Sequence, residues 1–479
     1  MCLPPGPAAA SVTQVDRQTA LDRAAEQFDT GAFLGVLARR VAYRTESADP
    51  QRAGDLRAYL TDEMAPAVEG LGFTARVVEN PVSPGHPFLV AHRREGPAQP
   101  RVLTYGHGDV QPAHPEQWRA GLDPWRVVVE GDRWYGRGVA DNKGQHTVNL
   151  VALEQVLAAR GGRLGYDVTL LLDMGEESGS PGLAEVCAQL RDELAADLLI
   201  GSDGPRVAVD RPTVFLGTRG SIDLTFRMTA RDSAHHSGNW GGVLVNPATV
   251  LVNALATVVD GRGRLLVDGL CPPDVPEPVR AALASIDVDQ GPDSPAVDPG
   301  WGEPGLSPSE RLYAWNTLEV LAMTAGDPDA PVNAIPPTAR AHCQLRFVVG
   351  TDAVRVPELL RAHLAAAGYP MVQVEVGHTM AATRLDPEDP WVGWTLASLE
   401  RSTGRTPALL PNLGGSLPNE PFAHVLGLPT VWVPHSYPGC AQHAPGEHLP
   451  TGLVRESLQV MAGLWWDLGE PDAPWPPGA

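Results

Sequence analysis

Short apolar runs alternate with helix-period stretches through the first 200 residues of the chain. The apolar runs have the continuous pattern of buried strands, and they cover residues 102–105, 168–172 and 197–200. Between and before them, apolar residues recur at helical spacing over residues 21–43, 53–71, 145–159 and 182–195. Strands that alternate with helices are typical of a largely parallel α/β sheet, in which ligands bind outside the carboxyl ends of the strands.

The pattern changes after about residue 217. Strand-like and helical stretches alternate over residues 221–229, 246–259, 339–349, 354–367 and 372–376, and the Pro-, Asp- and Gly-rich segment 270–310 is predicted to be irregular. After residue 385, a helix, a strand and a final helix resume the first pattern. We therefore predict a catalytic domain (residues 21–216 and 385–470) that carries an inserted α+β sandwich domain (217–384), with tails at 1–20 and 471–479.

Composition narrows the choice of partners and compartment. The 479 residues carry a net charge of -21, which argues against nucleic acid or an anionic membrane as a partner. The five cysteines include no CxxC pair, a pattern that favours a reducing compartment over a disulfide framework. The N-terminus lacks the basic and apolar regions of a signal peptide, and no run of 18 apolar residues occurs, so a cytoplasmic location is predicted.

Candidate chemistry begins where the strand 102–105 ends. His107 and Asp109 follow it, and because they are two residues apart, their side chains point to the same face of an extended chain. A carboxylate so placed can hold the second nitrogen of a metal-bound imidazole. Further acidic or histidine clusters follow, most of them after strand-like runs. Taken singly, each also fits a polar strand end, a helix N-terminus or a turn.

Taken together, these clusters resemble the motifs of the dinuclear-zinc M20 metallopeptidases, and most closely their carnosinase-like dipeptidase branch. The motifs are Tyr105-Gly106-His107-Gly108-Asp109-Val110-Gln111-Pro112, Tyr135-Gly136-Arg137-Gly138, Asp141-Asn142-Lys143-Gly144, Gly175-Glu176-Glu177-Ser178-Gly179-Ser180 and Gly414-Gly415-Ser416-Leu417-Pro418. The resemblance implies a zinc-exopeptidase-like, mostly parallel sheet flanked by helices. It also implies that the inserted domain acts as a lid and as the dimerisation domain.

The resemblance further implies a metal site. His107 would bind one zinc and His443 the other, Asp141 would bridge both, and Glu177 and Asp203 would complete one ligand set each. Imidazole and carboxylate ligands suit Zn²⁺, although Mn²⁺ and Co²⁺ tolerate them too. His448 competes with His443, which the spacing to Glu447 and the family pattern favour. The peptide bond Asp141–Asn142 is expected to be cis.

Other residues receive roles in catalysis and substrate binding from the same resemblance. Glu176 would be the general base, Asp109 would support His107, and His236 would polarise the scissile carbonyl across a dimer interface, with His235 as the alternative. The expected substrate contacts are Asn333, Arg346, Gly415 and Ser416. Asn412 departs from the family pattern, which has arginine there, and this puts recognition of a free carboxylate in doubt.

The predicted function is hydrolysis of an amide bond in dipeptides or small peptides by a hydroxide that bridges two zinc ions. The first alternative is an N-acyl-amino-acid deacylase or carbamoylase with the same machinery. An alternative of another class is a non-catalytic binding or scaffold homologue, which would require a broken ligand set. A homodimer formed through the inserted domain is expected.

Overall fold

A large sheet takes most of its strands from the first half of the chain and its last two from the C-terminal part. In the computed structural model, which describes residues 16–288 and 295–476, the strands are β1 Thr74–Val78, β2 Phe88–Arg93, β3 Arg101–His107, β4 Val128–Glu130, β5 Arg133–Tyr135, β6 Asp167–Asp173, β7 Leu198–Gly201, β8 Thr213–Phe215, β9 Gly220–Thr229, β10 His235–His236, β11 Thr317–Thr324, β12 Ala334–Ile335, β13 Thr338–Phe347, β14 Gln373–Met380, β15 Ala408–Leu410, β16 Thr430–Trp432 and β17 His448–Pro450.

Helices cover both faces of this sheet and one face of a smaller sheet. Their bounds are α1 Arg17–Asp29, α2 Ala32–Val41, α3 Ala53–Ala58, α4 Ala65–Glu69, α5 Lys143–Ala159, α6 Leu183–Gln189, α7 Ser237–Trp240, α8 Pro247–Val258, α9 Glu277–Leu283, α10 Pro308–Tyr313, α11 Val356–Ala366, α12 Pro390–Thr403 and α13 Thr451–Asp467. A π-helical turn, Tyr59–Met64, joins α3 to α4. None of the helices in the described residues combines the length and apolar composition that crossing a membrane requires.

The large sheet has the strand order β1-β2-β6-β3-β7-β16-β8-β15. Its central strands β6, β3, β7 and β16 are mutually parallel, whereas β1 and β2 pair antiparallel at one edge. Successive residues of β3 enter opposite cores, Val102 on one face and Leu103 on the other. Burial on both faces explains why these strands are continuously apolar in sequence. The predicted fold class, a mostly parallel sheet flanked by helices, is confirmed.

A four-stranded antiparallel sheet, β11-β13-β9-β14, lies wholly within residues 220–380. Helices α8 and α11 pack on one of its faces around a separate core. This arrangement fits the predicted inserted domain, whose boundaries stay a prediction. The tails predicted at 1–20 and 471–479 lie partly outside the described residues. In the described parts of these tails, helix α1 begins at Arg17 and Trp475 packs against Trp391.

The prediction that residues 270–310 are irregular is wrong for two parts of that segment. Helix α9 directs Val279 and Leu283, one turn apart, into a core of the large sheet. Helix α10 begins with a capping box between Ser307 and Glu310. The density of Pro, Asp and Gly obscured these two short helices in the sequence, because a single apolar turn is too brief to give a periodic signal.

Candidate active site

The predicted ligands meet at one edge of the large sheet. His107 is the last residue of β3, Glu176 and Glu177 follow β6, Asp203 follows β7, and His443 lies in the loop after β16. These four strands are parallel neighbours, so their carboxyl ends share an edge. Residues that lie up to 336 positions apart in sequence are thereby brought together.

Asp141 reaches the same edge from the loop between β5 and α5. The Asp141–Asn142 peptide bond is cis, as the family resemblance implied. A Cβ atom at Gly144 would lie 1.8 Å from the carbonyl oxygen of Val139, so only glycine lets the first turn of α5 approach the loop so closely. This close approach fixes the loop that presents Asp141.

Asp141 lies between the two histidines and contacts each with a different oxygen. Its Oδ1 is 3.1 Å from Nε2 of His107, and its Oδ2 is 3.0 Å from Nε2 of His443. Glu177 Oε2 is 3.2 Å from His443 Nε2, and Asp203 Oδ2 is 3.5 Å from His107 Nε2. The five side chains thus form two sets of three that share Asp141.

The carboxylates of this cluster are buried and crowd one another. Burial raises the pKa of Glu176 well above its usual range, and it raises that of Asp203 to about 7. Burial opposes ionisation of Asp141 too, but hydrogen bonds with the histidines lower its pKa below the ordinary value. Hydrogen bonds to Asp141 and Glu177 raise the pKa of His443 to about 11. A proton or a cation that binds among these carboxylates is therefore stabilised by the negative charge of the cluster.

The donor set fits divalent cations. Asp203 Oδ2 is buried and has no hydrogen-bond partner among the described residues, which is costly unless a cation or a proton lies against it. His107, Asp141 and Glu177 each place one ligand atom within 4.8 Å of the others. A mixture of imidazole nitrogen and carboxylate oxygen suits Zn²⁺, Mn²⁺ and Co²⁺.

Asp109 lies behind His107, although its carboxylate has a second task. His107 Nδ1 is 3.1 Å from the backbone oxygen of Asp109 and 3.3 Å from its Oδ1. The same carboxylate accepts hydrogen bonds from the backbone N–H groups of Glu176 and Glu177, at 3.2 and 3.1 Å. Asp109 thus links the β3 ligand to the turn that carries the two glutamates.

Sequence reasoning missed the role of two residues in this framework. Gln111 donates from Nε2 to Oε2 of Glu177 at 3.0 Å. The fully buried carboxylate of Glu447 accepts from Arg137 and from the backbone N–H groups of Gly138, Ala140 and Asp141. Glu447 therefore holds the loop that presents Asp141. Its position next to His448 in the sequence gave no sign of this role.

The structure shows the surroundings of His448, the rival of His443 as a ligand, and of Asn412, which departs from the family pattern. His448 pairs with Tyr135 in the β17–β5 ladder and donates from Nδ1 to the carbonyl of Gly446, so it lies apart from the metal cluster. Asn412 is buried and donates to the carbonyl of Thr383 at 2.8 Å. It therefore supports a loop.

Three of the predicted substrate-binding residues lie together beside the cluster. A cavity of about 310 Å³ is bordered by Asp141, Glu176, Asp203, Gly415 and Ser416, among others. Arg346, at the end of β13, donates to Oγ of Ser416 at 2.7 Å. The smaller sheet thus contributes a guanidinium group next to this cavity.

His236 and Asn333 lie elsewhere on the inserted domain. Both are exposed, and the backbone oxygen of Asn333 accepts from the N–H of Ser237 beside the short β10–β12 ladder. His236 Nδ1 accepts a hydrogen bond from the backbone N–H of Gly238. Neither residue lines the cavity next to the metal cluster. Within the described part of one chain, these two residues are therefore not brought to the cluster.

Divalent cations are expected to stabilise the folded chain, because they bind a carboxylate cluster that exists only in the native state. At a concentration of 100 times Kd, the free energy of unfolding should rise by about 2.7 kcal/mol. Thermal unfolding of chelator-treated protein with and without Zn²⁺, Mn²⁺ or Co²⁺ measures the shift.

A matched pair of variants assigns that shift to the cluster. Asp203→Asn should lose most of it, whereas Asp192→Asn at an exposed position should keep it. An unchanged melting temperature with all three cations would contradict the assignment of the cluster as a metal site.

Known proteins resemble this chain in sequence and in fold. The model of peptidase family M20/M25/M40 matches residues 103–467. A cysteinylglycine-S-conjugate dipeptidase from Corynebacterium striatum is 29% identical over 330 residues, which are 67% of this chain and 70% of that protein. A beta-Ala-His dipeptidase from Rattus norvegicus is 33% identical over 211 residues, which are 43% of this chain and 42% of that protein.

Solved structures extend the likeness of fold over nearly the whole chain. The di-peptidase Dug1p from Saccharomyces cerevisiae has a TM-score of 0.79 at 19% identity, covering 96% of this chain and 100% of that one. Human carnosine dipeptidase 1 has a TM-score of 0.74 at 21% identity, covering 94% and 98%. The uncovered 4–6% of this chain is too short to leave out either sheet, so both superpositions include the smaller sheet as well as the larger one.

Proposed function

Because the chain belongs to peptidase family M20/M25/M40, we propose that it hydrolyses the amide bond of dipeptides or small peptides. The proposed cofactors are two divalent metal ions, with Zn²⁺ preferred and Mn²⁺ or Co²⁺ as substitutes. His107 and Asp203 would hold one ion, His443 and Glu177 the other, and Asp141 both. The observation that carries the proposal is the pair of three-residue sets that share Asp141.

When bound, two such ions would supply Lewis acidity and would lower the pKa of a water molecule enough for it to act as the nucleophile at neutral pH. Glu176 borders the cavity beside the ligands, and its Oε2 lies 3.7 Å from His107 Nε2. We assign it as the general base that takes the proton of the attacking water and passes it to the leaving amine. Its burial suits this task, because burial raises the pKa of the carboxyl well above its ordinary value and so makes the carboxylate a stronger proton acceptor.

Arg346, His236 and Asn333, which lie outside the metal set, are proposed to contact the substrate. Arg346, held by Ser416, would bind the terminal carboxylate of a dipeptide, since a guanidinium group matches a carboxylate in two parallel hydrogen bonds. His236 would polarise the scissile carbonyl of a partner subunit's substrate. The exposure of His236 is what this proposal requires of a residue that acts across an interface. We accordingly propose a homodimer, and a cytoplasmic location.

A substrate panel tests the proposed reaction. The metal-loaded protein should cleave dipeptides with a higher kcat/KM than N-acetyl, N-succinyl or N-carbamoyl amino acids. Treatment with a chelator should abolish that cleavage, and added Zn²⁺ or Mn²⁺ should restore it. Release of free amino acid, measured by ninhydrin or mass spectrometry, reports all of these reactions on one scale.

The alternatives give different results in the same panel. A deacylase or carbamoylase would favour the N-acyl or N-carbamoyl amino acids. A protein that binds metal but cleaves no amide in the panel would contradict the proposed function altogether.

A further inference from the structure

A second cavity, of about 480 Å³, adjoins the cavity beside the metal ligands, and Gly415 lines both. Its walls come from the 414–415 loop, from β11 and β13 of the smaller sheet, and from the segment 301–312. Its volume lies in the ordinary range for sites that bind small molecules. A substrate group beyond the scissile bond can therefore extend into a formed space.

Arg219 is the most deeply buried charged residue on this cavity. It immediately precedes β9, is 6% exposed, and donates from Nε to the carbonyl of Gly414 at 2.9 Å. Its Nη1 has no hydrogen-bond partner in the described part of the chain, and no described carboxylate lies within 4.0 Å of its guanidinium group. An unpaired buried charge is costly unless a ligand supplies the missing partner.

Arg346 lies close to Arg219, and Ser416 joins the two. Ser416 Oγ accepts a hydrogen bond from Arg346 and donates one to the backbone oxygen of Arg219, each at 2.7 Å. Burial, and then the charge of Arg346, lowers the pKa of Arg219 to about 10. The two guanidinium groups therefore repel each other on the wall of the second cavity, where an anion would offset the repulsion.

The carboxylates that line the cavity form no direct ion pair with Arg219 in the described part of the chain. Asp298 and Glu319 line it, and the charge of Glu319 partly offsets the fall in the pKa of Arg219, yet among the described residues neither carboxylate lies within 4.0 Å of a guanidinium nitrogen of Arg219, Arg346 or Arg311. Arg311 already donates to the backbone carbonyls of Leu306 and Trp301. Arg219 is thus the arginine on this cavity with unused donor capacity and little access to water.

We propose that this cavity receives the leaving amino acid of the substrate and that Arg219 binds an anionic side chain on it. Preferred dipeptides would then end in an acidic residue, with the terminal carboxylate on Arg346 and the side-chain carboxylate on Arg219. The inference rests on the proposed peptidase function and deepens it by naming the substrate class. It also gives the segment 301–312 a role, as a wall of the specificity site.

The pair Ala-Glu and Ala-Gln tests this inference, because the two dipeptides match in shape and differ in one charge. We expect the wild-type kcat/KM for Ala-Glu to exceed that for Ala-Gln by at least about tenfold. In Arg219→Gln the ratio of the two constants should fall to about one. Arg227→Gln is the matched control and should keep the wild-type ratio. Arg227 lies on β9, the strand that begins directly after Arg219, but it pairs with Glu375 at the surface.

The possible failures are distinguishable. A wild-type ratio of one or less overturns the inference while leaving the peptidase proposal intact. An equal loss on both dipeptides in Arg219→Gln assigns Arg219 to the shared terminal carboxylate and also overturns it. If no dipeptide is cleaved, or if the variant fails to fold, calorimetric titration of the wild-type protein decides. Binding of L-glutamate at least about tenfold tighter than L-glutamine supports the anionic site, and equal or weaker binding overturns it.

Discussion

Replacing Glu176 by glutamine is expected to lower kcat on a dipeptide by about 10²- to 10⁴-fold, the usual contribution of a general base. Glutamine keeps the size of the side chain and its hydrogen-bonding reach but cannot accept a proton. Glu176 faces the cavity from the turn after β6, next to the proposed ligands. The measurement is kcat and KM with saturating Zn²⁺, together with the metal content of the purified variant.

Fold and metal binding should survive this substitution. The turn is held through the backbone N–H groups of Glu176 and Glu177, which donate to Asp109, so the Glu176 side chain is not needed to form it. Glu193→Gln is a suitable control, because Glu193 pairs with Arg76 and His92 at the surface and should retain full turnover. If Glu176→Gln keeps its activity, another group is the base. If it loses metal, Glu176 is a ligand.

The sequence predicted those parts of the site that depend on local pattern. His107 ends a strand that can be recognised from its apolar run, and Glu177 and Asp203 each follow one. Once these strands are parallel neighbours, their ends must share an edge of the sheet, so the convergence of the three residues follows from topology. His443 follows the recognisable strand β16, but choosing it over His448 required the family pattern as well.

The features that sequence reasoning did not find depend on contacts between distant segments. Glu447 lies 306 positions from Asp141, and no local pattern indicates that its carboxylate will be buried against the 138–141 loop. Arg219 is equally ordinary in sequence, since only the structure shows that it is buried without a carboxylate partner. The motif related Asn412 to recognition of the substrate carboxylate, whereas in the structure its side chain stabilises a loop through a hydrogen bond to Thr383. Burial and pairing of single polar residues are tertiary properties.

Glu447 holds the loop that presents the proposed shared ligand Asp141. Its carboxylate forms a buried ion pair with Arg137, with Nη1 and Oε2 2.8 Å apart, and both side chains are at most 2% exposed. The same carboxylate accepts hydrogen bonds from the backbone N–H groups of Ala140 and Asp141, at 2.8 and 3.1 Å. It therefore compensates a buried charge and fixes the backbone that carries the shared ligand.

Glu447→Ala is expected to lower the free energy of unfolding by about 3–5 kcal/mol, because it leaves the buried Arg137 guanidinium without a carboxylate partner. The double variant Arg137→Met/Glu447→Leu should recover much of that loss, since no unpaired charge remains. It should nevertheless bind metal more weakly than the wild type, because the N–H groups of Ala140 and Asp141 still lack an acceptor. Denaturant unfolding of the metal-free proteins and calorimetric titration with Zn²⁺ measure the two effects separately.

An exposed ion pair provides the comparison for this prediction. Glu79→Ala removes the partner of Arg57 at the surface, and it should cost at most about 1 kcal/mol and leave metal affinity unchanged. A loss of the same small size in Glu447→Ala would mean that water or another group satisfies Arg137. Wild-type metal affinity in the double variant would mean that the loop holds Asp141 in place without Glu447. The shared ligand would then owe its position to the close packing of Gly144 against Val139.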